Sequence, residues 1–112
     1  MPQGGSLAPI NRRGIVVSEV RLSGQLVCSS AAEAAVVRQH LPLHLSLTVD
    51  EPGCLLFDVR QTDDPLVWQV EERFLDAAAF ETHQRRVAAS EWGRATKGIE
   101  RRYVVEGIAE KS

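Results

Sequence analysis

His83 and Glu72 are the residues of this chain whose types and spacing most readily indicate chemistry. They lie in VEERFLDAAAFETHQRR, residues 70–86, where a strand pattern is followed by a turn and a helix pattern. An imidazole changes charge near neutral pH, and a buried carboxylate beside it could serve as its acid or base partner. The alternative is that both residues pack on their elements and are satisfied by local hydrogen bonds.

The segment that carries Glu72 predicts an antiparallel hairpin over about residues 54–74. Its strands, CLLFDVRQ and LVWQVEERF, are joined by the polar turn TDDP. Alternate residues of a strand share a face, so Glu72 lies on the same face as Trp68 and Phe74. Asp76 is a good N-cap for the helix that follows, and His83 falls on the apolar stripe of that helix.

The remaining elements are a strand, a long helix, a short helix and a last strand. The strand is predicted over residues 15–26, and Ser30 with Glu33 forms a capping-box pattern. The stretch LPLHLSLTV alternates like a strand, but a strand there would lack a hairpin partner, so we predict one helix over about 30–49, kinked at Pro42. Ser90 starts a short helix containing Trp92, and RRYVVEG forms the last strand.

The element order β-α-β-β-α-β predicts an α+β, ferredoxin-like fold. In this arrangement one antiparallel sheet carries the helices on one face. Val17, Val67 and similar residues would then lie on the uncovered face. Because exposed apolar sheet faces tend to be covered, we expect a homodimer.

Length and composition indicate one ordinary domain in a chain of 112 residues. We expect a flexible N-terminal segment over 1–13, the domain over 14–107 and a tail over 108–112. A formal charge of −2 gives no overall nucleic-acid footprint, and no apolar run reaches the length of a signal peptide core or a membrane span. A cytoplasmic protein with no nucleic-acid or membrane partner is expected.

Metal binding is not predicted. Cys28 and Cys54 match no zinc spacing. His40 and His44 are four residues apart, but no acidic third ligand follows and Pro42 lies between them, so solvent-exposed histidines are the default.

The motif EPGC before a strand, followed by VEERFLDAAAFETH, resembles the antibiotic biosynthesis monooxygenase family over about residues 14–106. The matching positions are Glu72, Phe74, Asp76, Ala79 and His83. The resemblance implies a dimeric α+β barrel and an oxygenase that acts with dioxygen on a quinol, an anthrone or a polycyclic phenol, without flavin or metal. In such chemistry a base removes a phenolic proton, and the anion reduces dioxygen directly.

The resemblance leads to a set of candidate site residues. His83 is the candidate catalytic base and Glu72 its support, and the candidate substrate contacts are Phe57, Trp68, Phe74, Phe80 and Trp92. Haem degradation is disfavoured, because the first strand has no Asn and His83 stands where the haem-degrading branch has its Trp. The main alternative is a non-catalytic dimeric binding or scaffold protein, and another acid–base enzyme on the same fold is a third. Open space beside His83 would favour an enzyme.

Overall fold

Four antiparallel strands and three helices make up the computed structural model, which describes residues 18–107. In chain order the elements are β1 (Val20–Val27), α1 (Ala31–Val49), β2 (Cys54–Gln61), β3 (Val67–Phe74), α2 (Ala77–Ala88), α3 (Glu91–Ala95) and β4 (Glu100–Glu106). The strand order across the sheet is β2-β3-β1-β4. The predicted ferredoxin-like α+β fold is therefore confirmed. The proposed segments 1–13 and 108–112, and residues 15–17 of the predicted first strand, lie outside the described residues.

The inner face of the sheet, which packs against the helices, follows the predicted alternation. On β3 the buried residues are Trp68, Val70, Glu72 and Phe74, and on β1 they are Val20, Leu22 and Leu26. In the strand register Glu72 lies opposite Leu22 on β1 and opposite Phe57 on β2. The pairing therefore places one carboxylate in the middle of an apolar inner face.

Gly24 allows β1 and β4 to pair closely. Its backbone has φ of +150°, a conformation that side-chain-bearing residues rarely adopt. A Cβ at this position would lie about 2.0 Å from the carbonyl oxygen of Arg102 on β4. The pairing of β1 with β3 and β4 continues through Gly24. The register shifts in β2, between Cys54 and Leu56.

The stretch LPLHLSLTV belongs to helix α1, as predicted, and this helix continues through Pro42. Ser30 caps it by accepting a hydrogen bond from the backbone N–H of Glu33, while the Glu33 carboxylate accepts from the backbone of Ser29 rather than from the cap residue. The prediction that His44 is solvent-exposed is wrong, since only 4% of it is exposed. No helix within residues 18–107 is long and apolar enough to cross a membrane.

Helices α2 and α3 begin at the side-chain caps that the sequence predicts. Asp76 accepts a hydrogen bond from the backbone N–H of Ala79 at 2.8 Å, and Ser90 accepts one from Gly93 at 3.0 Å. These bonds satisfy backbone donors that have no partner within the helix. They mark the start of each helix, and His83 lies in the helix that begins after Asp76.

Candidate active site

A cavity of about 360 Å³ lies between the inner face of the sheet and the helices. Its lining includes Phe57 from β2, Glu72 from β3, His44 from α1, His83 from α2 and Trp92 from α3. A volume of this size falls in the lower part of the range for small-molecule sites. Open space therefore lies beside His83. This is the feature expected to distinguish an enzyme from a scaffold.

The candidate substrate contacts divide into two groups in the structure. Phe57 and Trp92 line the cavity, together with the candidate catalytic residues. Trp68, Phe74 and Phe80 do not line it and belong to the hydrophobic core. In the structure these three side chains lie in the core, outside the cavity lining. Phe74 also supports the His83 ring, with ring centroids 4.7 Å apart.

The His83 side chain is held by Glu51, which the sequence showed only as the first residue of the EPGC motif. The Nδ1 atom of His83 lies 3.0 Å and 3.1 Å from the two carboxylate oxygens of Glu51. A carboxylate only accepts hydrogen bonds, so Nδ1 carries the proton and donates. The neutral ring then has an unprotonated Nε2, which is the form that a general base requires.

Glu51 is itself held in place by Arg86. The Arg86 Nε atom donates to Glu51 at 2.6 Å, and the Nη2 atom donates to the Thr48 hydroxyl at 2.9 Å. The Glu51 side chain is 13% exposed, so its charge is compensated by a guanidinium in a largely enclosed place. The order Arg86, Glu51, His83 thus resembles the orienting half of a catalytic triad.

Glu72 approaches His83 from the opposite side of the ring. Its Oε1 atom lies 3.8 Å from the Nε2 atom of His83, which is too long for a hydrogen bond. Among residues 18–107 this oxygen has no hydrogen-bond partner. Burial, with a smaller contribution from the charge of Glu51, raises the pKa of Glu72 to about 7. The hydrogen-bond partner of His83 is thus Glu51 rather than Glu72, and Glu72 lines the cavity as a carboxyl group whose pKa is raised.

Burial acts on His83 and Glu72 in complementary ways. It lowers the pKa of His83 below its ordinary value, although the hydrogen bond and the charge of Glu51 act in the other direction. At neutral pH the cavity therefore holds an uncharged imidazole next to a carboxyl group that is partly protonated. A pair of titratable groups whose surroundings shift their pKa values in opposite directions is typical of acid–base sites.

His44 is a cavity residue that the sequence analysis did not select. Its ring lies flat on Trp92, with centroids 4.4 Å apart and planes within 2°, and is nearly perpendicular to the Phe57 ring at a centroid distance of 5.2 Å. Burial lowers the pKa of His44 to about 3, and smaller effects of the His83, Arg86 and Arg101 side chains act in the same direction. The only signal in the sequence was the helical spacing to Thr48, which the strict alternation of leucines obscured.

Arg101 and Tyr103 from β4 close another part of the cavity wall. Arg101 donates to the carbonyl oxygens of Thr96 and Ile99 at 2.7 Å and 3.0 Å, which fastens the end of α3 to β4. Burial raises the pKa of Tyr103 to about 12, so its phenol stays protonated. Within residues 18–107, no group of three or more His, Cys, Asp or Glu side chains is arranged to hold a metal ion.

Comparison with known proteins identifies the family. A family model described as antibiotic biosynthesis monooxygenase matches residues 29–95, more than half of the chain. The protein belongs to the antibiotic biosynthesis monooxygenase family. The matched segment of this family member contains Glu51, Glu72 and His83 and the cavity residues His44 and Trp92.

Solved structures share the fold of this family member. A candidate antibiotic biosynthesis monooxygenase from Deinococcus radiodurans is 25% identical, covers 83% of this chain and 95% of its own, and has a TM-score of 0.63. SnoaB, a cofactor-independent oxygenase from Streptomyces nogalater, is 13% identical, covers 84% and 96%, and has a TM-score of 0.62. At that identity the likeness to SnoaB shows a common fold alone. Among curated proteins no match was found.

Proposed function

We propose that this protein is a cofactor-independent monooxygenase that oxidises a quinol, an anthrone or a polycyclic phenol in the cavity. One observation carries the proposal: His83 donates Nδ1–H to Glu51, which leaves Nε2 unprotonated beside Glu72 and open space. SnoaB, which has the same fold, is a cofactor-independent oxygenase, and this agrees with the proposed chemistry.

The reaction begins with the removal of a proton from a substrate hydroxyl by Nε2 of His83. Glu51 stabilises the imidazolium that forms, because its carboxylate accepts the hydrogen bond from Nδ1. The aromatic walls Phe57 and Trp92 suit a flat ring and exclude water from it. Deprotonation makes the substrate electron-rich enough to reduce dioxygen.

Electrons and atoms balance with dioxygen as the oxidant and no added reductant. The substrate anion gives one electron to dioxygen, and the resulting radical and superoxide join in a carbon–oxygen bond, which forms a peroxide. Loss of the proton from that carbon breaks the O–O bond and leaves a new carbonyl group. The substrate thus loses four electrons, one oxygen atom enters the product, and the other leaves as water.

Glu72 serves as the acid in this scheme. With a pKa raised to about 7, its carboxyl group is protonated for much of the time at neutral pH and can donate a hydrogen bond to the peroxide. Donation to the departing oxygen lowers the barrier to O–O cleavage, because hydroxide is a poor leaving group without a proton. The 3.8 Å separation from His83 lets both residues reach the same reacting region.

The geometry favours catalysis over a scaffold. A structural histidine would be expected to bond to the backbone in a filled core, whereas His83 bonds to a partly buried carboxylate and borders a cavity. Buried polar groups are normally hydrogen-bonded, so the unpartnered Oε1 of Glu72 also points to a ligand that is bound during function.

We also propose that the protein forms a homodimer through the outer face of the sheet, which the helices do not cover. Leu56 and Val104 on that face are 41% and 60% exposed, and Val27 and Val67 are half-buried. Arg73 and Glu19 form an ion pair nearby at 2.8 Å, so the face mixes apolar and charged groups. Such a mixture is typical of interfaces between folded subunits.

Dioxygen consumption by metal-free protein without flavin tests the proposed function. The wild type, His83→Gln and the control His40→Gln would be supplied with hydroquinones, anthrones and naphthols in an oxygen electrode. We expect substrate-dependent uptake above the autoxidation blank in the wild type and the control, and its loss in His83→Gln. Uptake that is equal in all three proteins would contradict the proposal.

A further inference from the structure

His44 is a buried imidazole whose presence packing does not explain. Its Nδ1 atom is enclosed and has no hydrogen-bond partner among residues 18–107. Leaving a buried polar group unpaired is unfavourable, and a phenylalanine would keep the flat contact with Trp92 without that penalty. Residues that break local packing rules in this way are concentrated at functional sites.

The surroundings of His44 fix its ring plane and keep it uncharged. Trp92 lies parallel to the ring and the Phe57 ring meets it edge-on. A half-turn about the Cβ–Cγ bond would exchange Nδ1 with Cδ2 and leave the ring flat on Trp92, so the stack does not dictate which edge carries Nδ1. A neutral imidazole has one donor and one acceptor, and therefore suits a hydroxyl or carbonyl oxygen.

The position of His44 relative to His83 indicates what such a ligand would look like. The two ring centroids are 6.1 Å apart, and both residues line the same cavity. At that separation, two oxygens on a single aromatic ring can reach both imidazoles. Glu72 lies next to His83, so one oxygen would meet the acid–base pair and the second would meet His44.

We propose that His44 hydrogen-bonds a second oxygen of the substrate, so that the cavity selects aromatic compounds with two oxygens on one ring over monophenols. His44 is then a specificity-determining residue that contacts the substrate without taking the reacting proton. The inference rests on the proposed function for the claim that this ligand is the compound oxidised.

Anaerobic binding tests the inference separately from catalysis. Isothermal titration under nitrogen would compare 1,4-dihydroxynaphthalene with 1-naphthol, on the wild type, His44→Phe, His44→Asn and the control His40→Phe. His40 lies one turn earlier on α1 and is not among the residues that line the cavity. Asparagine keeps a polar atom near the position of Nδ1, so it reports on hydrogen bonding apart from stacking.

We expect the wild type and His40→Phe to bind the diol about five-fold more tightly than the monophenol, as one neutral hydrogen bond would give. His44→Phe should bind both compounds equally, with a melting temperature no lower than that of the wild type. His44→Asn should recover part of the preference. A fold defect in His44→Phe would instead lower its melting temperature and weaken the binding of both compounds. That result would contradict the inference.

Other outcomes separate this inference from the proposed function. A wild type that binds the two compounds equally, or binds neither, would overturn it, as would a preference that His44→Phe retains. If His44 controls the preference but no dioxygen is consumed, the inference on binding stands and the oxygenase proposal fails. If dioxygen is consumed and His44→Phe keeps the preference, the oxygenase proposal stands and this inference fails.

Discussion

The Nδ1 atom of His83 lies 3.0 Å from the Oε1 atom of Glu51, across 32 residues of sequence. This contact joins the middle of α2 to the turn that follows α1. It decides which nitrogen of His83 is protonated, and the other nitrogen is then available as a base toward the cavity. The proposed chemistry depends on this one hydrogen bond more than on any other contact.

Glu51→Gln should therefore reduce kcat much more than it changes KM. A glutamine can present either its oxygen or its NH₂ group to Nδ1, and it no longer stabilises the imidazolium, so Nε2 becomes a weaker base. We expect kcat to fall about 100-fold, a typical contribution of general acid–base catalysis. Steady-state dioxygen uptake measures both constants. The control is Glu81→Gln, an exposed residue on α2, and equal kcat values in the two variants would rule out a positioning role for Glu51.

The dependence of kcat/KM on pH should be bell-shaped. Activity needs neutral His83, whose pKa is lowered by burial, and protonated Glu72, whose pKa burial raises to about 7. The rate should rise on an acidic limb below pH 6.5 and fall on an alkaline limb near pH 7. A substrate whose own pKa is above 9 would be used, so that its ionisation does not interfere.

The variant Glu72→Gln identifies the alkaline limb. Glutamine donates a hydrogen bond at every pH, so the variant should lose the fall in rate near pH 7 and keep the acidic limb. An alkaline limb that stays in place in Glu72→Gln would show that another group controls it.

Glu72 should also make the folded protein less stable as the pH rises. Its pKa is about 7 in the folded state, against an ordinary value of 4.5 for a glutamate side chain. Between these values the folded state binds more protons than the unfolded chain, so the free energy of unfolding decreases with rising pH, by about 3 kcal/mol in total. Glu72→Gln should remove this decrease.

Urea unfolding at pH 5 and pH 8 measures that effect. The matched control is Glu71→Gln, the neighbouring residue on the outer face of β3, which is only half-buried. We expect Glu72→Gln to gain stability relative to Glu71→Gln at pH 8 and to gain much less at pH 5. If the free energies of unfolding of the two variants differ by the same amount at both pH values, Glu72 ionises as readily in the folded protein as in the unfolded chain.

The dimer proposal predicts that charges on the outer sheet face will separate the subunits. The double variant Leu56→Lys and Val104→Lys should be a monomer by sedimentation velocity at concentrations where the wild type is a dimer. Leu43→Lys is the control, because Leu43 is 59% exposed on α1. A wild type that sediments as a monomer, or a dimer disrupted only by Leu43→Lys, would contradict the proposed interface.

The fold was predictable because its signals are local. Asp76 and Ser90 cap the helices that follow them, and alternation along β1 and β3 separates the two sheet faces without any knowledge of the rest of the chain. Each such signal acts over a few residues. Their order then leaves few possible topologies.

The site was predictable only in part because its key contacts join distant segments. The pattern placed His83 and Glu72 on inward faces, but nothing near Glu51 shows that the turn after α1 meets α2. His44 was missed because LPLHLSLTV alternates like a strand, while the helix buries His44 and Thr48 and leaves Leu45 37% exposed. The packing of α1 against β2 and α3 decides this, and a local pattern does not contain it.

Isotope incorporation tests the central claim most directly. Metal-free wild-type protein and His83→Gln would each convert a hydroquinone under oxygen-18 gas, followed by mass spectrometry of the product. We predict one labelled oxygen atom in each product molecule from the wild type, formed well above the autoxidation rate, and only the blank rate from His83→Gln. A product without label, or the same rate of labelled product from both proteins, would contradict a monooxygenase that uses His83 as its base.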